Sequence, residues 1–294
     1  MRNEEKMYAL FIDTAKADDR IAAVYMNGSR TNPNVPKDIF QDYDIVYVVR
    51  ETTSFIEDKN WILRFGKILY MQYPDESPDA PSDKENHYGW LMQFEDGVRI
   101  DLTIQTVQYA IAHIHDDKLC RILLDKEAIL PAIPESTDED YHMKRPTEAQ
   151  FQACANEFWW CSNNIAKGLW REEMPYVQDM TNFVVRKQLE KMLSWKVGLL
   201  TDFQVSVGKS AKYLYRWLEA DEYQGYLNTY FSGNIAEAWT AVLHMCDLFE
   251  QTAVYVGSKL GYTYNAAEAR AARGFLEHVR TLPRDAEDVQ NLKS

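Results

Sequence analysis

Cysteine is scarce in this chain: four residues in 294, Cys120, Cys154, Cys161 and Cys246, with no Cys-x-x-Cys spacing. All four fall in apolar, helix-like segments, so they read as buried free thiols and not as a disulfide framework. The six histidines do not gather beside them at ligand spacing, which argues against a zinc centre. Long apolar runs are missing too. None reaches the roughly 18–20 residues of a membrane span, and the charged start Met1-Arg2-Asn3-Glu4-Glu5-Lys6 lacks the apolar stretch of a secretory signal. The expectation is a cytoplasmic protein with no membrane partner. Basic residues are in deficit, 32 against 45 acids, for a formal net charge of −13. A field of that sign disfavours nucleic acid, whose binders present basic surfaces, and attracts small cations. Repeats and low-complexity tracts are also lacking. What remains is globular composition, 46% hydrophobic and 26% charged, at a length that suits one large domain or two ordinary ones.

The informative text lies between residues 24 and 101. Val24-Tyr25-Met26 runs into the small-residue turn Asn27-Gly28-Ser29-Arg30; Asp42-Tyr43-Asp44 then heads the β-forming run Ile45-Val46-Tyr47-Val48-Val49; and Arg99-Ile100-Asp101-Leu102 places a third acid inside a later apolar run. In a strand, residues i and i+2 share a face, so Asp42 and Asp44 project together. Like charges held that close repel unless a cation lies between them. Mg²⁺, a hard ion that takes carboxylate and phosphate oxygens together, is the expected one. The turn, the acid-x-acid strand and the strand acid in this order resemble the nucleotidyltransferase pattern. The chemistry expected is Mg²⁺-dependent nucleotidyl transfer, with Asp42, Asp44 and Asp101 as metal ligands and catalytic residues. Two ions about 3.5–4 Å apart are expected to hold the attacking and leaving oxygens. Asp101 either binds an ion or takes the acceptor proton, and the sequence leaves both open. Backbone donors around Gly28 and Ser29 are expected to hold phosphates, because a glycine turn admits close approach. Arg30 adds a fork of donors for phosphate or pairs with a loop carboxylate.

The organisation expected is α+β. Strands are expected at 21–26, 45–49, 68–72, 90–94 and 98–105, with Asp96-Gly97 as a hairpin turn. A helix is expected over 54–65 with Ser54 as its N-cap, and a loop over 73–88. The hairpin alternation puts Ile100, Leu102 and Ile104 on one face and Arg99, Asp101 and Thr103 on the other. The stretch 131–144, rich in Pro, Glu, Asp, Ser and Thr, reads as a linker. It separates a mixed-sheet domain, 1–145, from a helical one, 146–294. The second opens on a capping box, Thr147 followed by Gln150, and its helices are expected at about 150–170, 177–200, 208–220, 234–260 and 264–281.

Asn27-Gly28-Ser29-Arg30 with Asn32-Pro33, together with Met192-Leu193-Ser194-Trp195-Lys196-Val197-Gly198 and Val207-Gly208-Lys209-Ser210-Ala211-Lys212-Tyr213-Leu214, resembles the aminoglycoside 6-adenylyltransferases, the streptomycin-modifying enzymes. The likeness runs from about Met7 to Tyr264. It implies a nucleotidyltransferase domain with flanking helices, then a helical bundle, with ATP and the drug in the cleft between them. It implies transfer of AMP to a hydroxyl of streptomycin with release of pyrophosphate. It also implies Lys209 and Lys212, three apart on an expected helix, as triphosphate ligands. For a guanidinium-bearing drug the densest mixture of acids and aromatics is Trp159, Trp160, Trp170, Glu172, Glu173, Tyr176 and Asp179, with Trp170, Glu173 and Asp179 as the expected contacts. Transfer to another small molecule or to a protein, or a catalytically silent nucleotide-binding module, are the alternatives. Loss of one of the acids would favour a silent module, and all three are present. Oligomeric state is not legible.

Overall fold

The computed structural model describes residues 2–289. The chain divides into two compact units, Met1–Asp140 and Tyr141–Ser294. The division falls inside the stretch read as a linker, so residues 131–140 belong to the first unit.

The first unit is a six-stranded mixed sheet in the order β3-β4-β5-β2-β1-β6. The strands are β1 (Ile21–Asn27), β2 (Tyr43–Val49), β3 (Ile68–Gln72), β4 (His87–Phe94), β5 (Arg99–Thr106) and β6 (Cys120–Asp125). Only the β2/β5 pair is parallel. Both faces of the central strands are covered, which is why β2 reads as a continuous apolar run instead of an alternating one. Ile45, Tyr47 and Val49 join Phe11, Trp61, Phe65 and Trp90 in the larger cluster. Val46 and Val48 join Ala23, Tyr25, Ala110 and Ile114 in a smaller one on the opposite face. Helix α1 (Glu4–Ala17), capped by the Asn3 side chain on the Lys6 N–H, packs on β1 and buries Met7, Phe11 and Ala15 in the larger cluster.

Two expectations fail in this unit. The single helix over 54–65 is two pieces, α2 (Thr53–Glu57) and a 3₁₀ turn, Trp61–Phe65. The break is an Asx turn, in which the Asp58 carboxylate accepts the Asn60 N–H at 3.1 Å. Ser54 lies inside α2 and is not its cap; its N–H donates to Glu51 at 2.9 Å. Strand β6 and the helices α1 and α3 (Val107–His113) were not anticipated. The β4/β5 hairpin turns at Gly97, φ +85°, as the Asp-Gly signal requires.

The second unit is helical: α4 (Glu148–Trp170), α5 (Met174–Asp179), α6 (Arg186–Leu200), α7 (Ala220–Leu227), α8 (Ile235–Leu260) and α9 (Ala266–Thr281). A turn of π-helix, Met180–Val185, joins α5 to α6. The capping box forms: the Gln150 N–H donates to the Thr147 hydroxyl at 3.2 Å and the Thr147 N–H to the Gln150 side chain at 2.9 Å. Phe158 of α4 and Phe249 of α8 stack face to face, 3.7 Å apart, at the centre of its core.

The helix expected over 208–220 does not exist. Gly208 (φ +73°), Ser210 (φ +55°) and Ala211 (φ +57°) leave the right-handed region, and only the 3₁₀ turns Lys209–Ala211 and Leu214–Arg216 form. The shared helical side assigned to Lys209 and Lys212 disappears with it. All four cysteines are buried free thiols; burial pushes the Cys246 thiol up to about 12. No helix among the described residues is long and apolar enough to cross a membrane. The architecture is α+β, a mixed sheet with flanking helices followed by a helical bundle.

Candidate active site

Strand register builds the acidic site. Antiparallel pairing sets Asp44 opposite Asn27, the last residue of β1, and parallel pairing sets it opposite Asp101 on β5. Asp44 has the parity of Val46 and Val48, and Asp101 alternates with the buried Ile100 and Leu102. Both acids therefore face the side of the smaller cluster, which stops short of this end of the sheet. Asp42, two residues before Asp44, completes the set. One carboxylate oxygen from each of the three lies within 4.8 Å of the others. The three predicted acids are brought together, and charge crowding is the physical result. Burial, then the neighbouring Asp42 and Asp101, push the Asp44 carboxyl up to about 7. Three hard oxygen donors within 4.8 Å of one another, one of them with its carboxyl pushed up by burial and its neighbours' charge, fit a divalent ion such as Mg²⁺.

Gly28 is required by Asp44. Its backbone has φ +76°, and a Cβ there would overlap the Asp44 carboxylate. Its N–H donates to the Leu119 carbonyl at 3.1 Å, which ties the turn to the chain just before β6. Ser29 opens a 3₁₀ turn, Ser29–Thr31, in which the Thr31 hydroxyl donates to the Gly28 carbonyl at 2.8 Å.

Arg30, expected to reach a phosphate or a loop carboxylate, is held against the chain that leads into β2. Nε donates to the Asp42 carbonyl at 2.9 Å and Nη2 to the Gln41 carbonyl at 2.6 Å, while the guanidinium lies 3.8 Å from the Tyr43 ring centre. Its nearest carboxylate is Glu4 of α1, at 3.8 Å. Two of the three guanidinium nitrogens are engaged by backbone acceptors, so Arg30 fixes the chain that carries Asp42.

Arg99 is the site residue that sequence reasoning placed on the right face and gave no role. Its Nε and Nη2 donate to the two oxygens of Asp101 at 2.7 and 2.6 Å, and Nε lies 3.7 Å from Asp42. The signal was the spacing Arg99-x-Asp101 on one strand, the same period of two that exposed Asp42 and Asp44.

The remaining predicted residues lie in the second unit. Lys209 and Lys212 are exposed, and the Lys212 ammonium lies 5.0 Å from the Tyr213 ring centre. Trp170 is half-buried against the helical core and donates its indole N–H to the Leu282 carbonyl at 3.3 Å. It lines a cavity of about 390 Å³ with Lys167, Phe275 and Leu282. Glu173 and Asp179 are exposed and lie outside that lining. Trp159 is core, its N–H on the Tyr264 hydroxyl at 2.8 Å.

Residues 1–279 match the family model for streptomycin adenylyltransferase. Aminoglycoside 6-adenylyltransferase of Campylobacter jejuni is 36% identical over 264 residues, 90% of this chain and 91% of that protein. Its namesake in Bacillus subtilis is 36% identical over 265 residues, covering 90% and 93%. A crystal structure of an aminoglycoside 6-adenyltransferase from Bacillus subtilis aligns with 96% of this chain and all of its own, at 30% identity and a TM-score of 0.48. With the acids, the glycine turn and the α+β order already in place, the chain belongs to the aminoglycoside 6-adenylyltransferases of the streptomycin adenylyltransferase family.

Proposed function

We propose that this protein transfers AMP from ATP to the 6-hydroxyl of streptomycin, releasing pyrophosphate, in a reaction that depends on Mg²⁺. The observation that carries the reading is the convergence of Asp42, Asp44 and Asp101, three carboxylates within 4.8 Å. Asp42 and Asp44 would hold the metal, two ions in the fullest form of the site, and Asp101 would complete the set. The ions, when bound, offset the charge that builds between an attacking hydroxyl and the α-phosphate. A carboxylate beside a divalent cation is a modest base, so Asp101 contributes more as a ligand than as a proton acceptor. Gly28 leaves room for Asp44 and turns the chain so that the backbone N–H groups about Ser29 are available to a phosphate. Arg30 holds Asp42 through the backbone.

Lys209 and Lys212 are proposed as triphosphate ligands; both are exposed cations. Trp170, Glu173 and Asp179 are proposed as drug contacts, on the strength of an aromatic face and two exposed acids. The double substitution Glu173→Gln with Asp179→Asn is expected to raise KM for streptomycin by about tenfold and to leave KM for ATP unchanged. Steady-state kinetics with each substrate varied in turn checks this; equal effects on both would move the drug site elsewhere.

The net charge of −13 favours capture of a cationic acceptor, so KM for the drug should rise with ionic strength. The test of the proposal is pyrophosphate release from ATP and Mg²⁺ across a panel of aminoglycosides. Release is expected with streptomycin and not with kanamycin-type compounds, because a polar site built for one set of donors leaves its own groups unpaired around another. Release with kanamycin alone would overturn the acceptor and leave adenylyl transfer standing.

A further inference from the structure

Three clustered carboxylates invite divalent cations at any time, whether or not a nucleotide is present. The structure shows which side chain pairs with them. Among the described residues, the ion pairs made by the triad come from one side chain, Arg99. It grips both oxygens of Asp101 and reaches Asp42. The other nearby guanidinium, Arg30, is engaged by the Gln41 and Asp42 carbonyls and, among the described residues, makes no ion pair with the triad.

The geometry suits a removable counter-ion. Arg99 and Asp101 stand two apart on the same strand, so no backbone has to move for the pair to open. The Arg99 side chain is 47% exposed, whereas those of Asp101 and Asp42 are 18% and 30% exposed. A pair with one half-exposed member is screened and weak, while three carboxylates sharing one divalent ion gain far more. The arginine therefore yields to a metal but not without cost to the metal.

We propose that Arg99 is the resident counter-ion of the acidic site, competing with divalent cations for Asp101 and Asp42 and lowering the protein's affinity for free metal. The inference rests on the metal reading of the triad.

The probe is Mn²⁺ alone, titrated into the full-length protein by electron paramagnetic resonance, without nucleotide. Arg99→Met is expected to bind Mn²⁺ about fivefold to tenfold more tightly than wild type, as removal of a cation in contact with the ligands requires. Arg99→Lys, which keeps the charge and loses the fork, is expected to fall between. Lys67→Met, which removes an exposed cation paired with Glu95 at the start of the outer strand β3, is the control and should match wild type. Asp44→Asn should lose the site. Thermal melts at pH 8 supply the second readout: metal-free Arg99→Met melts below wild type, its acids unshielded, and gains more on Mn²⁺ addition. Equal Mn²⁺ affinity in wild type and Arg99→Met, with binding lost in Asp44→Asn, overturns the counter-ion role and leaves the metal reading intact. Mn²⁺ affinity indifferent to Asp44→Asn overturns both.

Discussion

Asp44→Asn is expected to reduce Mg²⁺-dependent adenylyl transfer by at least about a hundredfold, since in the proposed site it removes a ligand and not merely a group behind one. The same change should stabilise the metal-free protein above neutral pH. Asp44 sits with its folded carboxyl at about 7, raised from an ordinary 3.8 by burial and by Asp42 and Asp101. A carboxyl whose folded value is raised is tolerated best while protonated. Its stability is therefore full below about pH 4 and is lost as pH climbs through about 7. Asparagine cannot ionise and escapes the loss, which is on the order of a few kcal/mol. Melting temperatures of wild type and Asp44→Asn should agree near pH 4 and separate by pH 8, with the variant higher. Saturating Mg²⁺ should close the gap by stabilising wild type alone. A variant with wild-type turnover would remove Asp44 from the site.

Gly28→Ala is expected to be the second severe change, and the fold supplies its own control. Gly28 and Gly261 share φ +76° but differ in ψ, −159° against 24°, so Gly261 is left-handed while Gly28 lies where a side chain is most strained; a Cβ on Gly28 also runs into the Asp44 carboxylate, whereas one on Gly261 meets nothing within 4 Å. Gly261→Ala therefore carries only backbone strain, about 1 kcal/mol, and should leave activity unchanged. Gly28→Ala carries a larger backbone strain and must also displace Asp44 from its place opposite Asp101, so turnover should fall by about a hundredfold or more. Gly28→Ala should be the less stable of the two, and activity should be lost only there. Equal activity in both variants would mean that the turn does not position the acid.

The clustered acids were legible because a strand alternates strictly. Once 45–49 was recognised as β, the common face of Asp42 and Asp44 followed, and the Asp96-Gly97 hairpin fixed the face of Asp101. Arg99 was on that same face by the same rule, but alternation says which side a group is on and not which partner it meets. Arg30 was less accessible still. Its acceptors are main-chain carbonyls eleven and twelve residues away, and carbonyls carry no sequence signal.

The lost helix over 208–220 has a different cause. Val207, Ala211, Leu214 and Leu218 recur at helical spacing and are all buried, so the periodicity was real. Successive 3₁₀ turns preserve an i, i+3 stripe, and the positive φ at Gly208, Ser210 and Ala211 breaks the helix without disturbing the stripe. Apolar spacing reports a buried side and not the backbone that presents it. In the helical unit the same ambiguity blurs the drug contacts, since a tryptophan at helical spacing reads alike in a core and in a binding face: Trp159 proved to be core and Trp170 half-buried.

The central claim is that the acidic triad directs cation-dependent transfer of the α-phosphorus of ATP to streptomycin. Incubating the protein and the drug with ATP labelled at the α-phosphate, then isolating the drug, tests it most directly. Label is expected on streptomycin with wild type and Mg²⁺, and on none of it with a chelator present or with Asp44→Asn. Label reaching the drug only from the γ-phosphate, or α-label transferred equally well by Asp44→Asn, would contradict the account.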